Sequence, residues 1–424
     1  MKDSEQSLSV PTVLGQVARS FDSSVLKGWY GSLQEMMSGS RTTYYAAVGI
    51  FWLLVFATTI VALDAILKGY HEAYAGTREI PWGILISTYV FLVVTSTGLC
   101  IISAMGHIFG MESFKPFARR AAFLSIAAVI SGFIAILMEI ENPFKMILYN
   151  VLSPNFSSNI WWMGTLYGTF LFFMMLEYSS MLLGIHKVAI YTGFVALIAE
   201  IAATSNLGAV FGMLHGREFW YGPYMPIFFI TSAVMSGCAA IILFTWLAYK
   251  VNRTRMEPKM LKAMKSMSRF TAFVIAVIAF LTIWKLVIGS AGDYGSKQAI
   301  LALVTGPYAF NFWTFDIALS LLIPFVLLIA SKGRRIGMMA TASALMLVGI
   351  FFMRFDMLVF GQTIAGFQSM GVNEYKDFLL YTPSFHEITI VLGTLGTVVL
   401  AFLVGEKVLN GHKETPNSAT EVDK

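Results

Sequence analysis

Two glutamates in an apolar stretch are the residues of this chain with the clearest chemical potential. Glu177 and Glu200 lie in the segment 159–208 among leucines, isoleucines, methionines and aromatic residues, with His186 between them. A carboxylate inside hydrocarbon is costly unless it is paired, protonated or facing water, so such a residue indicates a functional site. Burial favours the neutral form, which lets a carboxyl group hold and pass a proton near neutral pH. The sequence therefore predicts a proton route through this segment.

The composition is typical of a membrane protein. Of the 424 residues, 57% are hydrophobic and 12% are charged, against about 25% charged in a soluble domain. Cys100 and Cys238 lie in apolar segments outside any C-x-x-C or C-x-x-C-H pattern, which disfavours bound iron–sulfur clusters and c-type haem. None of the six histidines falls at mid-membrane depth, so we expect no b haem and no metal site. The net charge of +5 reflects Lys and Arg in loops rather than nucleic-acid binding.

Ten apolar windows are long enough to cross about 30 Å of hydrocarbon. They lie at 43–69, 81–108, 116–140, 159–183, 188–208, 224–249, 269–290, 308–331, 336–360 and 384–406. Loops after the even-numbered windows are the richest in Lys and Arg, so the positive-inside rule places these loops and both termini in the cytoplasm. Residues 1–42 are predicted to form an interfacial, partly amphipathic segment, and residues 407–424 a cytoplasmic tail. The sequence thus predicts an all-α integral membrane protein with ten spans.

A short internal repeat suggests how these spans are grouped. Span 4 opens with Asn159-Ile160-Trp161-Trp162 and span 8 with Asn311-Phe312-Trp313, while span 2 carries Thr97-Gly98 and span 6 carries Ser236-Gly237. Four spans separate the members of each pair, so the two copies point the same way. We therefore predict two parallel four-helix bundles, residues 80–208 (spans 2 to 5) and 224–360 (spans 6 to 9). Spans 1 (43–69) and 10 (384–406) flank them.

The rise per residue of an α-helix gives the membrane depth of each polar residue in the first bundle. Five polar residues of span 2 share one helical face, at spacings of 7, 4, 3 and 4: Tyr89, Ser96, Cys100, Ser103 and His107. At about 1.5 Å per residue, His107 lies at the inner surface, Glu177 about 9 Å deeper, Glu200 just beyond the middle, and Glu139 at the outer surface. We interpret His107, Glu177 and Glu200 as steps of the proton route. Helix packing, an interfacial histidine and a helix cap at Glu139 are the structural alternatives.

The second bundle carries its buried charges only in the outer half. These are Asp316, Arg354 and Asp356, with Lys285 near the outer end. Asp316 and Arg354 are interpreted as a structural ion pair, and the group also forms a possible second site in which Arg354 orients a ligand. No comparable residues connect this group to the cytoplasm.

Several short motifs carry a resemblance to a known family. Pro81-Trp82-Gly83 and Thr97-Gly98 are similar to the opening of the NrfD/PsrC membrane subunits. Residues 138–143 (Met-Glu-Ile-Glu-Asn-Pro) stand where that family often has Leu-Asp-Leu-Gly-Arg-Pro. Residues 354–362 resemble the Arg-x-Asn-Val-Val-x-x-Gly-Gln of its long, ten-span members, which include the membrane subunits of Qrc-type menaquinone reductase, hydrogenase-2, the Dsr and Hmc complexes and alternative complex III. The chain departs from the pattern at Glu139, Asn142 and Asp356.

The resemblance implies a quinone-interacting subunit of a multisubunit respiratory oxidoreductase in the bacterial cytoplasmic membrane, not active alone. Menaquinone or another quinone would be its substrate, and the chain itself would bind no haem, metal or iron–sulfur cluster. The implied partner is an extracytoplasmic iron–sulfur protein, with molybdopterin-type or multihaem cytochrome c subunits, or both. The quinone would lie in the first bundle near its outer face, around Tyr89, Ser96, Glu139 and Glu200.

Two other classes of function stay open on the sequence. The first is a proton-coupled or ion transporter without redox partners, which predicts broken helices at matched positions of both repeats. Pro324 in span 8 has no counterpart in span 4. The second is a purely structural anchor, which predicts that neutralising Glu177 or Glu200 has no effect on turnover.

Overall fold

The chain is mainly helical in the residues that the computed structural model describes, which are 42–292, 294–363 and 379–408. No strand occurs within these ranges. The predicted interfacial segment 1–42 and the tail 407–424 lie outside them, apart from Thr42 and the last two residues of the final helix. The all-α class predicted from the sequence is confirmed for this part of the chain.

Ten long helices follow the order of the predicted spans, and we number them accordingly. They are α1 (Thr42–Lys68), α2 (Ile84–His107), α3 (Lys115–Glu139), α4 (Asn159–Leu182), α5 (His186–Gly212), α6 (Tyr224–Asn252), α7 (Pro258–Ala291), α8 (Ala309–Ser331), α9 (Ile336–Thr363) and α10 (Phe385–Val408). Shorter helices at Tyr70–Ala73, Pro143–Leu152 and Tyr294–Thr305 lie in the connections.

Nine of these helices, within the described residues, are long and apolar enough to cross a membrane, so the protein is a multi-pass membrane protein. The helix outside this set is α4, which is 24 residues long but carries Trp, Tyr, Gly, Thr and Ser among its apolar residues. These residue types lower its hydropathy without shortening it. The predicted total of ten spans therefore rests on α4, and it stays a prediction.

Helix α7 begins 11 residues before the predicted span at 269–290. Pro258 stands in its first turn, where a missing N–H costs nothing because that group has no partner inside the helix. The hydropathy pattern detects only the apolar part, whereas the basic residues Lys259, Lys262 and Lys265 continue the same helix toward water. Residues assigned to a loop by the sequence therefore form the first turns of α7.

The long helices pack into two groups of four. In the first group α2 contacts α3 and α5, and α4 contacts the same two helices; in the second, α6, α7, α8 and α9 contact one another in turn around a ring. Contacts of α2 with α6 and α9 join the groups, and α1 packs on α10, which covers α2 and α3. Helix α6 also packs on α5, so the two groups are in close contact, and the predicted division into two repeated bundles stays a prediction. We call the end carrying the turns 108–114, 183–185, 253–257 and 332–335 the basic end.

Two glycines permit the close crossing of α2 and α6 at the junction of the groups. A Cβ atom on Gly98 would overlap the backbone carbonyl of Ala233, and one on Gly237 would overlap the backbone of Gly98. Only residues without a side chain allow two helix backbones to approach so closely. These are the glycines of the two motifs that indicated an internal repeat. Helix α2 also packs on α3, α5 and α9, and 83% of its apolar window is buried.

A second connection joins the end of α9 to the start of α2. The Gln362 side chain accepts a hydrogen bond from Trp82 N (3.1 Å) and donates one to Trp82 O (2.8 Å), while Arg217 donates to Gln362 O (2.9 Å). Trp220 packs against Gly361, leaving no room for a Cβ there, and donates to the backbone carbonyl of Met357 at 2.7 Å. The motif Pro81-Trp82-Gly83 and the motif at residues 354–362, which are far apart in the sequence, therefore contact each other.

Candidate functional site

His107 and Glu177 meet near the basic end of the first group. The His107 Nδ1 and Glu177 Oε1 atoms are 3.4 Å apart, with side chains 14% and 2% exposed. Gly193 of α5 makes room for the carboxyl group, because a Cβ there would lie 2.6 Å from Glu177 Cδ. The approach lacks hydrogen-bond geometry, and both atoms are otherwise unpartnered. The rise per residue placed these residues about 9 Å apart in membrane depth. That calculation ignores the length of the two side chains and the fact that α2 and α4 end at different depths.

Glu200 lies at the centre of a buried hydroxyl network. Its Oε1 accepts a hydrogen bond from Thr97 Oγ1 at 2.9 Å, and Thr97 Oγ1 lies 2.6 Å from Thr204 Oγ1. The Tyr167 hydroxyl lies 3.0 Å from Thr204 Oγ1, and its ring meets the Tyr89 ring edge-on at 6.4 Å. Glu200 is fully buried, and its Oε2 has no hydrogen-bond partner. An unpartnered carboxyl oxygen at this depth is expensive, which indicates a protonated group or one that awaits a ligand.

The two glutamates lie along the same face of α5. Gly193, on which the Glu177 carboxyl packs, precedes Glu200 by seven residues, or about 10 Å along the helix. The Cys100 thiol lies within electrostatic range of both carboxyl groups. His186, at the exposed start of α5, stands apart from this column. The three residues predicted to carry protons therefore form one column, with a gap between Glu177 and Glu200 that a direct hydrogen bond does not cross.

The serines of the predicted polar face have a packing role. Ser96 Oγ donates to Ser125 O at 3.0 Å, and Ser125 Oγ donates back to Ser96 O at 2.9 Å. Ser103 Oγ donates to Ala118 O at 3.0 Å in the same way. These bonds fasten α2 to α3, as expected of small polar residues between membrane helices. Ser96 is therefore bonded to α3 while it also lies close to the Glu200 carboxyl group, and Thr97 donates to Glu200 directly.

Glu139 lies apart from the other residues predicted to surround a quinone. Gly132 of α3 packs beside Tyr89 and Val93, and Glu139 is seven residues, or about 10 Å, farther along. Its Oε2 atom is buried without a hydrogen-bond partner, and Tyr74 donates to the neighbouring Met138 carbonyl at 2.9 Å. Of the four predicted positions, the structure brings together Tyr89, Ser96 and Glu200, and Glu139 lies apart from them.

Sequence reasoning missed a second buried carboxylate near Glu139. Glu387 in the first turn of α10 accepts hydrogen bonds from the Tyr381 hydroxyl (2.6 Å) and from the backbone N–H groups of Ala75 (3.1 Å) and Ser384 (2.7 Å). The Tyr381 oxygen also accepts from Ile84 N at 2.9 Å, and burial beside Glu387 raises the pKa of Tyr381. An acidic residue at the start of a span was the available signal. Its partner Ala75, and Ile84, which donates to Tyr381, lie about 300 residues away in the sequence.

The second group of helices contains a separate cluster of buried charges. Asp316, Asp356 and Lys285 line one narrow cavity, in which Asp356 also accepts a hydrogen bond from Asn311 at 3.2 Å. Lys285 Nζ lies 3.6 Å from the centre of the Phe219 ring. One oxygen of each aspartate is buried without a partner. This end of the second group therefore holds charged groups that hydrogen bonds within the described residues do not fully satisfy.

The expected ion pair between Asp316 and Arg354 is wrong. Arg354 donates to Ser232 Oγ at 2.5 Å, and its guanidinium carbon lies 4.9 Å from the centre of the Phe229 ring. A π-helix at Phe312–Leu322 carries Asp316 and ends just before Pro324. Proline cannot donate to the preceding turn, which favours such a deviation, and a π-helix changes the direction of the side chains it carries. Simple helical spacing therefore could not place Asp316.

The structure offers no metal centre in the part of the chain that it describes, since no three His, Cys, Asp or Glu side chains there are grouped to hold an ion. The buried network around Glu200 suits a different ligand. It combines hydroxyl groups, a carboxyl group and aromatic rings, which could bind the polar ring of an otherwise apolar molecule.

Comparison with known proteins identifies the class of this chain. The sequence model described as polysulphide reductase, NrfD, matches residues 72–366. This covers more than half of the chain, and it confirms the resemblance derived from the motifs. The protein belongs to the NrfD family of membrane proteins.

Three relatives align with the chain over most of its length. The integral membrane subunit of an Hdr-like menaquinol oxidoreductase from Archaeoglobus fulgidus is 22% identical over 390 residues, covering 88% of this chain and 94% of that protein. A selenate reductase subunit from Mesobacillus selenatarsenatis is 21% identical, covering 84% and 92%. A protein from Halobacterium salinarum, named as the membrane subunit of a dimethyl sulfoxide reductase, is 26% identical, covering 89% and 95%. All three names describe subunits of oxidoreductases.

Proposed function

We propose that this protein is the quinone-interacting membrane subunit of a multisubunit respiratory oxidoreductase. Family membership supports this proposal, as do relatives named as subunits of menaquinol, selenate and dimethyl sulfoxide oxidoreductases. The observation that carries it is the fully buried Glu200 with its Thr97, Thr204 and Tyr167 partners. Such a group is costly in a membrane protein unless it serves a ligand or a proton.

Reduction of a quinone to a quinol consumes two electrons and two protons. The electrons would come from an extracytoplasmic iron–sulfur partner, joined by molybdopterin-type or multihaem cytochrome c subunits, or both. In this chain, Glu200 would exchange a proton with the quinone ring through the Thr97 and Thr204 hydroxyls. The edge-on rings of Tyr89 and Tyr167 would limit where a planar ring can lie. Glu139 would border the quinone site on the side that faces away from the basic end. Quinol oxidation would use the same groups in reverse.

Protons would reach Glu200 from the basic end of the molecule. His107 is partly exposed there and lies 3.4 Å from the buried Glu177, so the pair could pass a proton inward. The gap of about 10 Å to Glu200 exceeds a direct hydrogen bond and would require bridging water beside Cys100. The positive-inside rule places this end in the cytoplasm of a ten-span protein with both termini inside. Electrons and protons would then enter from opposite faces of a bacterial cytoplasmic membrane, making turnover electrogenic.

Neutralising the two glutamates separately tests the route. In the intact complex, Glu200→Gln and Glu177→Gln should each slow quinone-coupled electron transfer by about 10²-fold or more, as expected when a general acid–base group is lost. The membrane potential generated in vesicles should fall with the rate. Glu257→Gln is the matched control, because Glu257 is exposed at the basic end and caps α7 without a side-chain hydrogen bond. Full rate and full potential in both buried variants would refute the route and favour an anchor.

The partners provide the second test. The tagged chain, extracted in mild detergent, should co-purify with subunits that show iron–sulfur or haem absorbance, and that absorbance should change when a quinol is added. A chain that purifies without any redox-active partner, yet moves protons or ions in vesicles, would instead be a transporter.

A further inference from the structure

A cavity at the basic end of the second group of helices has the composition of an anion-binding site. It lies between α7 and the turn that joins α8 to α9, and its volume of about 510 Å³ is in the range of ligand pockets. Four cationic side chains line it, and no acidic residue is found among the described residues of its wall. The four are Lys265, Arg269, Lys332 and Arg334.

The packing of the turn on α7 brings these four cations together. Lys265 and Arg269 are four residues apart and therefore share one face of α7. In the turn, Lys332 and Gly333 both have positive φ angles, 50° and 64°, which reverse the chain direction. A Cβ on Gly333 would lie 2.5 Å from Lys265 Cγ, so the turn rests directly on the aliphatic part of that lysine. This contact holds Lys332 and Arg334 beside the pair on α7.

Four like charges around one cavity repel each other unless an anion lies between them. Like charges four residues apart destabilise a helix, and here the turn adds two more from the facing side. An anion in the cavity would replace this repulsion with charge-assisted hydrogen bonds, the strongest class available to Arg and Lys side chains. The arrangement is therefore more favourable with an anion bound than without one.

The lower wall of the cavity is made of hydrocarbon. Below the cations the lining residues are Ala272, Leu328 and Ile329. Ile329 is 55% exposed, and the neighbouring Val326 and Phe273 are 55% and 64% exposed on the apolar part of these helices. In a membrane protein this surface faces lipid chains. An anion on top and hydrocarbon below is the composition of a phospholipid, whereas a free phosphate ion would use only the upper half.

We propose that this cavity binds the phosphodiester headgroup of an anionic phospholipid, with the acyl chains against the exposed side chains of Ile329, Val326 and Phe273. Basic pockets between membrane helices suit such headgroups. The two phosphodiesters of diphosphatidylglycerol carry two negative charges, so each can lie between two of the four cations. The site lies in the second group of helices, so it is independent of the column of residues from His107 to Glu200.

Lipid titration of the intact complex tests the assignment. The complex is delipidated in mild detergent, and its thermal unfolding midpoint is followed with added diphosphatidylglycerol, phosphatidylcholine or inorganic phosphate. Diphosphatidylglycerol should raise the midpoint saturably, and the other two should not. The double variant Lys265→Gln/Arg269→Gln should weaken the apparent lipid affinity at least about tenfold, which is about 1.4 kcal/mol. Lys262→Gln/Arg335→Gln removes the same charge from exposed positions outside the cavity and should bind normally.

Four results would overturn the proposal. Equal weakening in both double variants would show diffuse surface charge rather than a site, and an equal response to phosphatidylcholine would show that the anion is unimportant. A response to inorganic phosphate as large as that to lipid would assign the cavity to free phosphate. If the α7 double variant fails to assemble, Arg334→Gln removes one cation of the same cavity from an exposed turn. Unchanged lipid affinity in that variant would also contradict the proposal.

Discussion

Gly193→Ala changes the position of Glu177 without changing any titratable group. In the folded protein a Cβ at this position would lie 2.6 Å from Glu177 Cδ, 2.7 Å from Oε1 and 2.9 Å from Oε2. Ordinary carbon–carbon contacts are about 3.5–4.0 Å, so the carboxyl group must retreat by about 1 Å. The added methyl group is smaller than any other side chain, and alanine favours a helix over glycine by about 1 kcal/mol. The variant should therefore fold.

The displacement of the Glu177 carboxyl group should change its contact with His107. The 3.4 Å approach between His107 Nδ1 and Glu177 Oε1 is already longer than a good hydrogen bond. A shift of about 1 Å either opens it further or forces the two groups to realign, and proton transfer depends on this geometry. We expect quinone-coupled turnover to fall by about tenfold, which corresponds to about 1.4 kcal/mol in the barrier. Glu177→Gln should fall further, because it removes the carboxyl group.

The assay is steady-state electron transfer between the partner subunits and a quinone in vesicles, with membrane potential read in parallel. Gly168→Ala is the matched control, since the space around Gly168 of α4 is open to a methyl group. A Gly193→Ala complex that turns over at the control rate, while Glu177→Gln is slow, would refute the geometric reasoning but keep the role of Glu177. A normal rate in both variants would remove Glu177 from the proposed route.

Two predictions concern the contacts between the groups of helices. Gly98→Ala should destabilise the protein by about 1–3 kcal/mol or more, because its methyl group meets the Ala233 backbone and α2 must separate from α6. The midpoint of thermal unfolding should drop relative to Gly49→Ala, whose surroundings are open. An equal midpoint in the two variants would contradict the close crossing. Gln362→Leu should lower the free energy of unfolding by about 2–4 kcal/mol, because it leaves Trp82 N and O without partners. Gln362→Glu keeps the acceptor for Trp82 N and should lower it less. An equal loss of stability in both variants would show that the side-chain volume, rather than these bonds, matters.

The sequence alone determined the class of the protein and the approximate bounds of its long helices. Long apolar windows can be satisfied in a membrane only by helices, because each backbone N–H and C=O then finds a partner within its own segment. The buried glutamates could be singled out for the same reason, since charge among apolar residues is visible without any knowledge of packing. The motifs also sufficed to recognise the family, as the match over residues 72–366 confirms.

Which polar residues meet was decided by the tertiary structure. Neighbours on α2 have different direct partners, because Ser96 is bonded to Ser125 on α3 while Thr97 is bonded to Glu200 on α5. A shift of one residue turns a helix by about 100°, and no periodicity reveals which helix lies on each side. The contacts of Ile84 with Tyr381 and of Ala75 with Glu387 were likewise hidden, because each joins segments about 300 residues apart.

The tertiary structure also decided which contacts the residues of the sequence motifs make. Gly98 and Gly237 looked like copies of one repeat, and only the packing of α2 on α6 shows that they face each other across a backbone contact. Asp316 and Arg354 looked like an ion pair, yet Arg354 donates to Ser232 and Asp316 lies on a π-helix, whose side-chain directions simple helical spacing does not give. The sequence sets which groups are costly to bury. Their partners depend on helix rotation and crossing, which long-range packing alone determines.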